Sequence, residues 1–530
     1  VKLLFAISLF FFSFNVLSQE LIELKESGEI IISDKKLEQL TQASKLESYK
    51  DNYSIRGLYQ EVSLPLKLDG FEGKRSKEPK PILFLSDSSL QLDFFINLSQ
   101  LASEDRLILA KIDSSFSLPQ SAESFLLTSF SSEQKLFFHD NFPFYNSSIA
   151  IDGIIFKKLK SSFGGNDYGD AADCQVNAIC PAATNTEPSA ATTRILWING
   201  NIAGWCTGSL INNTAGDFKP YVLSAEHCAL AGSLVSTNDL NRWVFFFNYL
   251  NPNCEEPNQE SNLPQQQLSG ASIRARSNDN GGDSGSDFLL LELNEEIPES
   301  FQAYFAGWNR SGILSSKGDC FHHPAGDAQK LSTYRERPSL SSFGGNVPNT
   351  HLNVFWQENA FGFGTTEGGS SGSALLDEDG LIIGSLTGGS SSCQQTELSD
   401  LFGRFAYSWI NNGESPERQL APWLDPLQLN NLRLQGIAKG DSVIYNSLNT
   451  ISFFPNPVKD GLAEIKGFTD LQKPVQIALF SFAGTKLQEK RTTPFANGTI
   501  PLNLEELQGG LYILQIRQAD NTKTIKIWIL

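Results

Sequence analysis

Positive charge is scarce in this chain. Its 530 residues carry 41 Lys and Arg against 59 Asp and Glu, a formal net charge of −18, and no stretch gathers the basic side chains into a stripe. A surface of that sign repels phosphate backbones, which disfavours nucleic acid as a partner and mildly attracts basic substrates. Long apolar runs are missing too: beyond the first twenty residues none approaches the ~18 needed to cross a bilayer. Histidine is rare, with 5 in all, so each imidazole can be weighed singly. Cysteine is absent from residues 20–165 and 410–530, and all 7 cysteines fall between Cys174 and Cys393.

With 40% hydrophobic and 19% charged residues the composition is that of a globular protein. The length suggests roughly three to four domains of about 150 residues. The opening run "VKLLFAISLFFFSFNVLSQE" puts one Lys ahead of a short apolar core and a polar end. It reads as a signal peptide over residues 1–18, cut near Ser18 and Gln19. In an exported chain cysteines pair, and seven leave at least one over. The clustering marks a disulfide-stapled central domain between two differently built flanks.

Residues 19–165 mix helix-compatible stretches ("KKLEQLTQASKLESY") with strand-like ones ("KPILFLSDS", "DGIIFKKLK") and hold one His, His139. They read as an α+β pro-segment with no grouping that suggests chemistry. The segment ends in "FKKLKSSFGGNDYGDAADC", where Lys157, Lys158 and Lys160 precede a Gly-rich stretch that a protease could reach. Residues 166–440 show short apolar runs broken by Gly, Asn, Pro and Ser ("RILWINGN", "PYVLSA", "RWVFFFNYL", "DFLLLEL"). Such spacing predicts a mainly-β domain, a barrel or a sandwich, with Asp377–Gly380 as a hairpin turn. Residues 445–530 alternate apolar and polar side chains at period two, which predicts a small β-sandwich.

Chemistry is sought first at His227 in "PYVLSAEHCAL". A strand that stops at His-Cys, with the half-cystine bridged to Cys206, would leave a catalytic base few orientations; a lone His is otherwise a hydrogen-bonded structural residue. Asp287 opens the apolar run "SDFLLLEL", so its carboxylate sits at the edge of a core and needs a partner. Bonded to the far nitrogen of His227 it would set the tautomer and stabilise the imidazolium. The run "EGGSSGSALLDEDGLIIGSL" could be a linker, yet it is followed at once by two apolar strands. Gly369 and Gly372 then permit tight backbone geometry around Ser371 as a nucleophile, with the N–H groups of Gly369 and Ser371 converging on an oxyanion. Gly282-Asp283-Ser284-Gly285 has the letters of a serine protease signature but lies directly before Asp287, leaving no chain for a second barrel between acid and nucleophile. Its carboxylates do not match the spacing of an EF-hand loop. The order His227, Asp287, Ser371 fits a chymotrypsin-type chain.

On "CTGSLINNT", "PYVLSAEHC", "SDFLLLEL", "YFAGWNR", "HHPAGD", "EGGSSGS", "GGSSSC", "SDLFGR" and "WLDP", the region from about Cys174 to Pro426 resembles the bacterial lysyl endopeptidases, a chymotrypsin-fold family. The resemblance implies a double β-barrel, a triad of His227, Asp287 and Ser371, and disulfides Cys174–Cys393, Cys180–Cys254 and Cys206–Cys228, with Cys320 unpaired. His322 and His323 would be structural, with no third metal ligand in view. Asp400 matches the acid at the base of the family's primary pocket, implying Lys or Arg at the cleavage site. Trp356 keeps the position of a Trp that in more specialised members, those with a strict Lys preference, stacks on a His; here that His position reads Thr387, a departure from those members. The C-terminal "FFPNPVKDG" and "GLYILQI" resemble the type A sorting domain of type IX secretion. The implied protein is a secreted or cell-surface zymogen of a Gram-negative bacterium, passing the periplasm and handled by the type IX machinery. It would be a monomer acting on proteins and peptides with no cofactor. The alternatives are an Arg-directed or mixed-specificity peptidase, and a catalytically silent adhesin on a protease scaffold.

Overall fold

The computed structural model describes residues 168–255, 266–440, 451–468, 474–495, 498–518 and 521–530, together with the backbone of ten strands between residues 22 and 158. The expected signal peptide, His139 and Lys160 lie outside the described residues. The chain divides into two compact units, Val1–Asn213, Asp217–Leu424 and Arg433–Lys439 in the first, Thr214–Gly216, Asp425–Leu432 and Gly440–Leu530 in the second.

In the first unit the apolar runs become short antiparallel strands: β1 (Thr192–Asn199), β2 (Ile202–Leu210), β3 (Tyr221–Ala225), β4 (Val244–Phe247), β5 (Gln266–Ser269), β6 (Ala271–Arg276) and β7 (Phe288–Leu293). Their hydrogen-bonded order is β5-β4-β1-β2-β3-β7-β6. Only Gly270 separates β5 from β6, so the strand that ends one side of this order continues into the strand that ends the other. The sheet thereby curls nearly onto itself. β1, β2, β3 and β4 are buried along almost their whole length, as befits strands covered on both faces. Trp197, Trp205, Trp243 and Trp308 are fully buried in their core, and cutting one such ring to Ala costs about 3–5 kcal/mol. At Ile202–Trp205, β2 also pairs with Ser54–Leu58, which extends the sheet into strands of the N-terminal region.

A second antiparallel sheet follows, formed by β8 (Gly318–His322), β9 (Lys330–Tyr334), β10 (His351–Val354), β11 (Ala374–Asp377), β12 (Ile382–Gly389) and β13 (Asp400–Arg404) in the order β9-β8-β11-β12-β13-β10. Tyr334, Leu352, Val354, Trp356, Leu375, Ile383, Leu386 and Phe402 pack around Cys320 in its core. The β11–β12 connection is the expected hairpin turn: Gly380 N–H donates to Asp377 O, and Asp377 Oδ1 accepts from Asp379 and Leu381 N–H.

The second unit carries β14 (Ser452–Phe454), β15 (Leu462–Lys466), β16 (Val475–Ser481), β17 (Lys486–Thr492), β18 (Thr499–Asn503), β19 (Gly510–Gln518) and β20 (Asn521–Ile529). They form two separate antiparallel sheets, β14-β15-β18 and β17-β16-β19-β20. The period-two pattern sends Ile465, Ile477, Ile500, Leu514, Ile516 and Ile527 into one shared apolar core. The edge strand β17 is exposed and carries Lys486, Glu489, Lys490 and Arg491, charge that discourages pairing with another chain.

Candidate active site

β3 stays apolar until Ala225 and then breaks into a single turn, Glu226–Ala229. The Cys206–Cys228 disulfide ties that turn to β2. His227 keeps its side chain 16% exposed, and its Nδ1–H donates to Asp287 Oδ2 at 2.7 Å. The His227 backbone N–H donates to the other carboxylate oxygen, Oδ1, at 2.9 Å. Asp287 itself is wholly buried. Glu226 N–H donates to its carbonyl at 2.9 Å, and its own N–H donates to Asp279 Oδ2 at 2.9 Å. Asp287 adopts φ +50°, a left-handed conformation that Asp tolerates better than most residues but that must still be held by its surroundings. Burial alone would lower the pKa of His227. The carboxylates of Asp287, then Glu226 and Asp279, outweigh burial and raise it above the ordinary value of 6.5.

The turn carrying Ser371 is built on β2 and the end of β3. Thr207 N–H donates to Ser371 O at 2.8 Å, and Cys228 Sγ lies 3.9 Å from the same oxygen. Gly372 has φ +82°, and a Cβ there would fall 2.2 Å from Ser224 Oγ, 2.4 Å from Thr207 O and 2.8 Å from Ala225 N. No residue but glycine brings the chain so close to the strand that delivers His227. The N–H groups of Ser370, Gly372 and Ser373 are spent on Glu367 O, Leu386 O and Ser370 O. Those of Gly369 and Ser371 have no partner among the described residues. Ser371 is half-buried, whereas Ser284 is exposed.

The "HHPAGD" stretch supports this turn from below. His322 Nδ1 and Nε2 meet Ser370 Oγ at 2.8 Å and Ser332 Oγ at 3.0 Å. Ala325 N–H donates to Gly368 O at 2.6 Å. Thr207 Oγ1 links the two segments, accepting from His323 N–H at 3.1 Å and donating to Gly369 O at 2.9 Å. Burial pushes both imidazoles down to about 3, so they are neutral across the physiological range. Among the described residues, two groupings have the composition of a metal site, Cys206–His227–Cys228 and Glu226–Asp279–Asp287. The sulfurs of the first are joined in a disulfide, and the carboxylates of the second face N–H and O–H donors.

On β13, Asp400 is 1% exposed. Its Oδ2 accepts from Trp356 Nε1 at 2.6 Å, Thr366 Oγ1 at 2.6 Å and Ser391 Oγ at 2.5 Å, and its Oδ1 accepts from Ser391 N–H at 3.2 Å. All four donors are neutral, and among the described residues no cationic side chain pairs with Asp400. Thr387 does not stand alone at its position: its Oγ1 meets His351 Nε2 at 3.0 Å. The remaining disulfides join Cys174 to Cys393 and Cys180 to Cys254, and Cys320 is a buried free thiol, pushed up by burial to about 12. Sequence reasoning missed Glu226, Asp279, His351, Thr366 and Ser391. The one local signal was Glu226, a charged residue between an apolar strand and a candidate base.

Residues 168–403 match the family model of the lysyl endopeptidase C-terminal domain, and residues 452–530 that of a secretion system C-terminal sorting domain. A lysyl endopeptidase of Pseudomonas aeruginosa is 29% identical over 265 residues, covering 47% of this chain and 53% of that protein. The chain thus spans about half the length of this curated relative. Among solved structures, a secreted serine protease from Vibrio cholerae, VesC, aligns at a TM-score of 0.30 and 12% identity over 66% of this chain and 70% of that one. An HtrA-type protease, AlgW with a tripeptide, aligns at 0.27 and 11% over 65% and 94%. By the two family models, the chain carries a serine-protease-like domain with homology to lysyl endopeptidase over residues 168–403, fused to a secretion sorting domain over residues 452–530.

Proposed function

We propose that the protein is a secreted serine endopeptidase of chymotrypsin-like double-barrel architecture that hydrolyses peptide bonds after lysine. The observation that carries this reading is the grip of the buried Asp287 carboxylate on both Nδ1 and the backbone of His227, beside a turn that seats Ser371 against Cys228. With Nδ1–H given to Asp287, Nε2 is the basic nitrogen. It takes the Ser371 proton as the hydroxyl attacks the carbonyl carbon, and returns it to the leaving amine; water then repeats the cycle on the acyl-enzyme. The unpartnered N–H groups of Gly369 and Ser371 stabilise the oxyanion.

Asp400 sets specificity. A buried carboxylate that meets only neutral donors attracts a cation, and a neutral substrate side chain would leave that charge uncompensated at a cost of several kcal/mol. Oδ2 already has three donors and Oδ1 one long one. A single accepting point suits the compact ammonium of lysine better than the two-pronged guanidinium of arginine. Trp356 holds Asp400, and Thr387 with its partner His351 stands where the family's stacked His would be.

The sorting domain supports export to the cell surface or medium through the type IX machinery, with residues 445–530 as a small sandwich. We place a signal peptide at 1–18, a pro-segment at 19–165 and the protease domain at 166–440, with release of the pro-segment by the enzyme itself near Lys160. N-terminal sequencing of the mature form checks this step; a first residue far from 161–170 speaks against it. The catalytic assignment is tested with a fluorophosphonate probe. Labelling is expected to vanish in Ser371→Ala and persist in Ser284→Ala, and the reverse pattern would overturn it.

A further inference from the structure

The loop between β6 and β7, whose "NDNGGDSGSD" mimics a nucleophile motif, connects the base to a second layer of acids. Glu226, directly before His227, is wholly buried, and its carboxylate takes four donors from that loop and its approach. Oε1 accepts from Arg276 Nη1 at 2.5 Å and Asn278 N–H at 2.9 Å; Oε2 accepts from Ser277 Oγ at 3.0 Å and Asp279 N–H at 2.9 Å. Residues 277–279 are thereby fixed, and with them the side chain of Asp279, 4% exposed. Asp279 Oδ1 accepts from Gly282 N–H and Oδ2 from Asp287 N–H, both at 2.9 Å.

The loop is pinned again where it passes the imidazole. Gly281 (φ +77°) would place a Cβ 3.0 Å from His227 Cβ, and Gly282 (φ +99°) would place one 3.2 Å from Thr387 Cγ2 and 3.4 Å from the His351 ring. Asn412 Oδ1 accepts from Ser286 N–H at 3.2 Å. A continuous chain of hydrogen bonds thus runs from Glu226 through Asp279 to the left-handed Asp287 and back to His227.

We propose that Glu226 and Asp279 are positioning residues: through this chain they hold Asp287 in the orientation that grips His227, and their charges favour the imidazolium formed in the transition state. The inference rests on the triad reading above. The charged groups facing His227 are Asp287 at the start of β7, Glu226 on its own turn and Asp279 on the loop, with Arg276 at the end of β6 opposing through Glu226. His351, against Gly282, is kept neutral by burial. A network that served folding alone would change stability and leave the ionisation of His227 untouched.

The test uses the mature enzyme and a peptide ester, following kcat and KM against pH, thermal midpoint and the fluorophosphonate labelling rate. Asp279→Asn is expected to lower kcat about ten- to a hundredfold, with KM within about twofold and the acid limb of the profile moved to lower pH. Glu226→Gln is expected to move the limb in the same direction, and Asp283→Asn, on an exposed side chain, to change neither. Folded Asp279→Asn and Glu226→Gln enzymes with wild-type kcat and an unmoved limb would overturn the proposal. If neither variant folds, Ser277→Ala removes one donor to Glu226 while keeping both charges: reduced kcat with an unmoved limb supports the chain, and wild-type kcat refutes it. A wild-type enzyme that does not label at Ser371 sinks the triad reading and this inference together. A labelled wild type with an indifferent Asp279→Asn sinks this inference alone.

Discussion

The indole N–H of Trp356 donates to Asp400 Oδ2 at 2.6 Å, with both side chains buried. A hydrogen bond to a buried charged group is worth about 1.5–3 kcal/mol, and this one fixes the carboxylate from the side that Thr366 and Ser391 also occupy. With a lysyl peptide, Asp400→Asn should lower kcat/KM at least about a hundredfold, near 3 kcal/mol. Trp356→Phe, which keeps the ring and removes only the donor, should cost about tenfold, chiefly in KM. Parallel lysyl and arginyl substrates check both. An Asp400→Asn enzyme that still prefers basic residues would dismiss this carboxylate as the determinant.

The raised pKa of His227 gives two opposite pH dependences. In the proposed mechanism the base is the neutral imidazole, so the acid limb of kcat/KM should lie above about 6.5. Stability runs the other way. The folded state holds the proton more tightly than the unfolded chain, so the ion pair with Asp287 contributes fully below about 6.5 and its contribution is lost as pH rises through the folded value. Asp287→Asn should lower kcat by about 10⁴ and bring the limb down. Steady-state rates from pH 5 to 9 measure it.

The meeting of His227 with Asp287 was legible because each sits at a junction in the hydrophobic pattern, the end of one apolar run and the start of another, and the Gly-Ser turn of Ser371 was legible as a turn because ordered strands flank it. The strand-rich domain and the period-two C-terminal segment were legible for the same reason. Glu226 and Asp279 were not, because the groups that satisfy them lie in a polar loop about 50 residues from His227, and no periodicity links the two. The donors to Asp400 escaped notice likewise. Thr366 and Ser391 are short polar side chains of ordinary type, and only the return of β12 and β13 brings them to one carboxylate. Thr387, read as a bare substitution, turns out to face His351, a histidine 36 residues earlier in the chain.

The two neutral histidines under the Ser371 turn predict acid lability. Their folded values near 3 lie below the unfolded value of about 6.5. The unfolded chain therefore binds more protons between these limits, and stability is full above 6.5 and falls progressively as pH drops toward 3. Urea unfolding of the Ser371→Ala variant, expected to be inactive and so spared self-digestion, should show this slope. His322→Asn should flatten it and weaken fluorophosphonate labelling in the active background, because Ser370 Oγ loses the imidazole and keeps only Glu367 N–H. An unaltered slope in His322→Asn would remove that histidine from the account.

Gly372 offers the sharpest steric test of the site. Its φ of +82° already disfavours any side chain, and the space for one is filled by Ser224 Oγ, Thr207 O and Ala225 N at 2.2, 2.4 and 2.8 Å. The Ser224 hydroxyl cannot simply swing aside, since it donates to Thr207 O at 2.8 Å within the same buried contact. In Gly372→Ala the turn must therefore lift from β2 and β3, stretching the Thr207 N–H bond to Ser371 O and carrying Ser371 away from His227. A displacement of about 1 Å costs on the order of a hundredfold in rate, so labelling should slow by at least that factor. Gly484→Ala, at another positive φ but with no atom within 4 Å of the added carbon, shares the backbone strain without the collision and should label at the wild-type rate. Equal labelling of the two variants would mean that this turn does not depend on its close approach to the strand bearing the base.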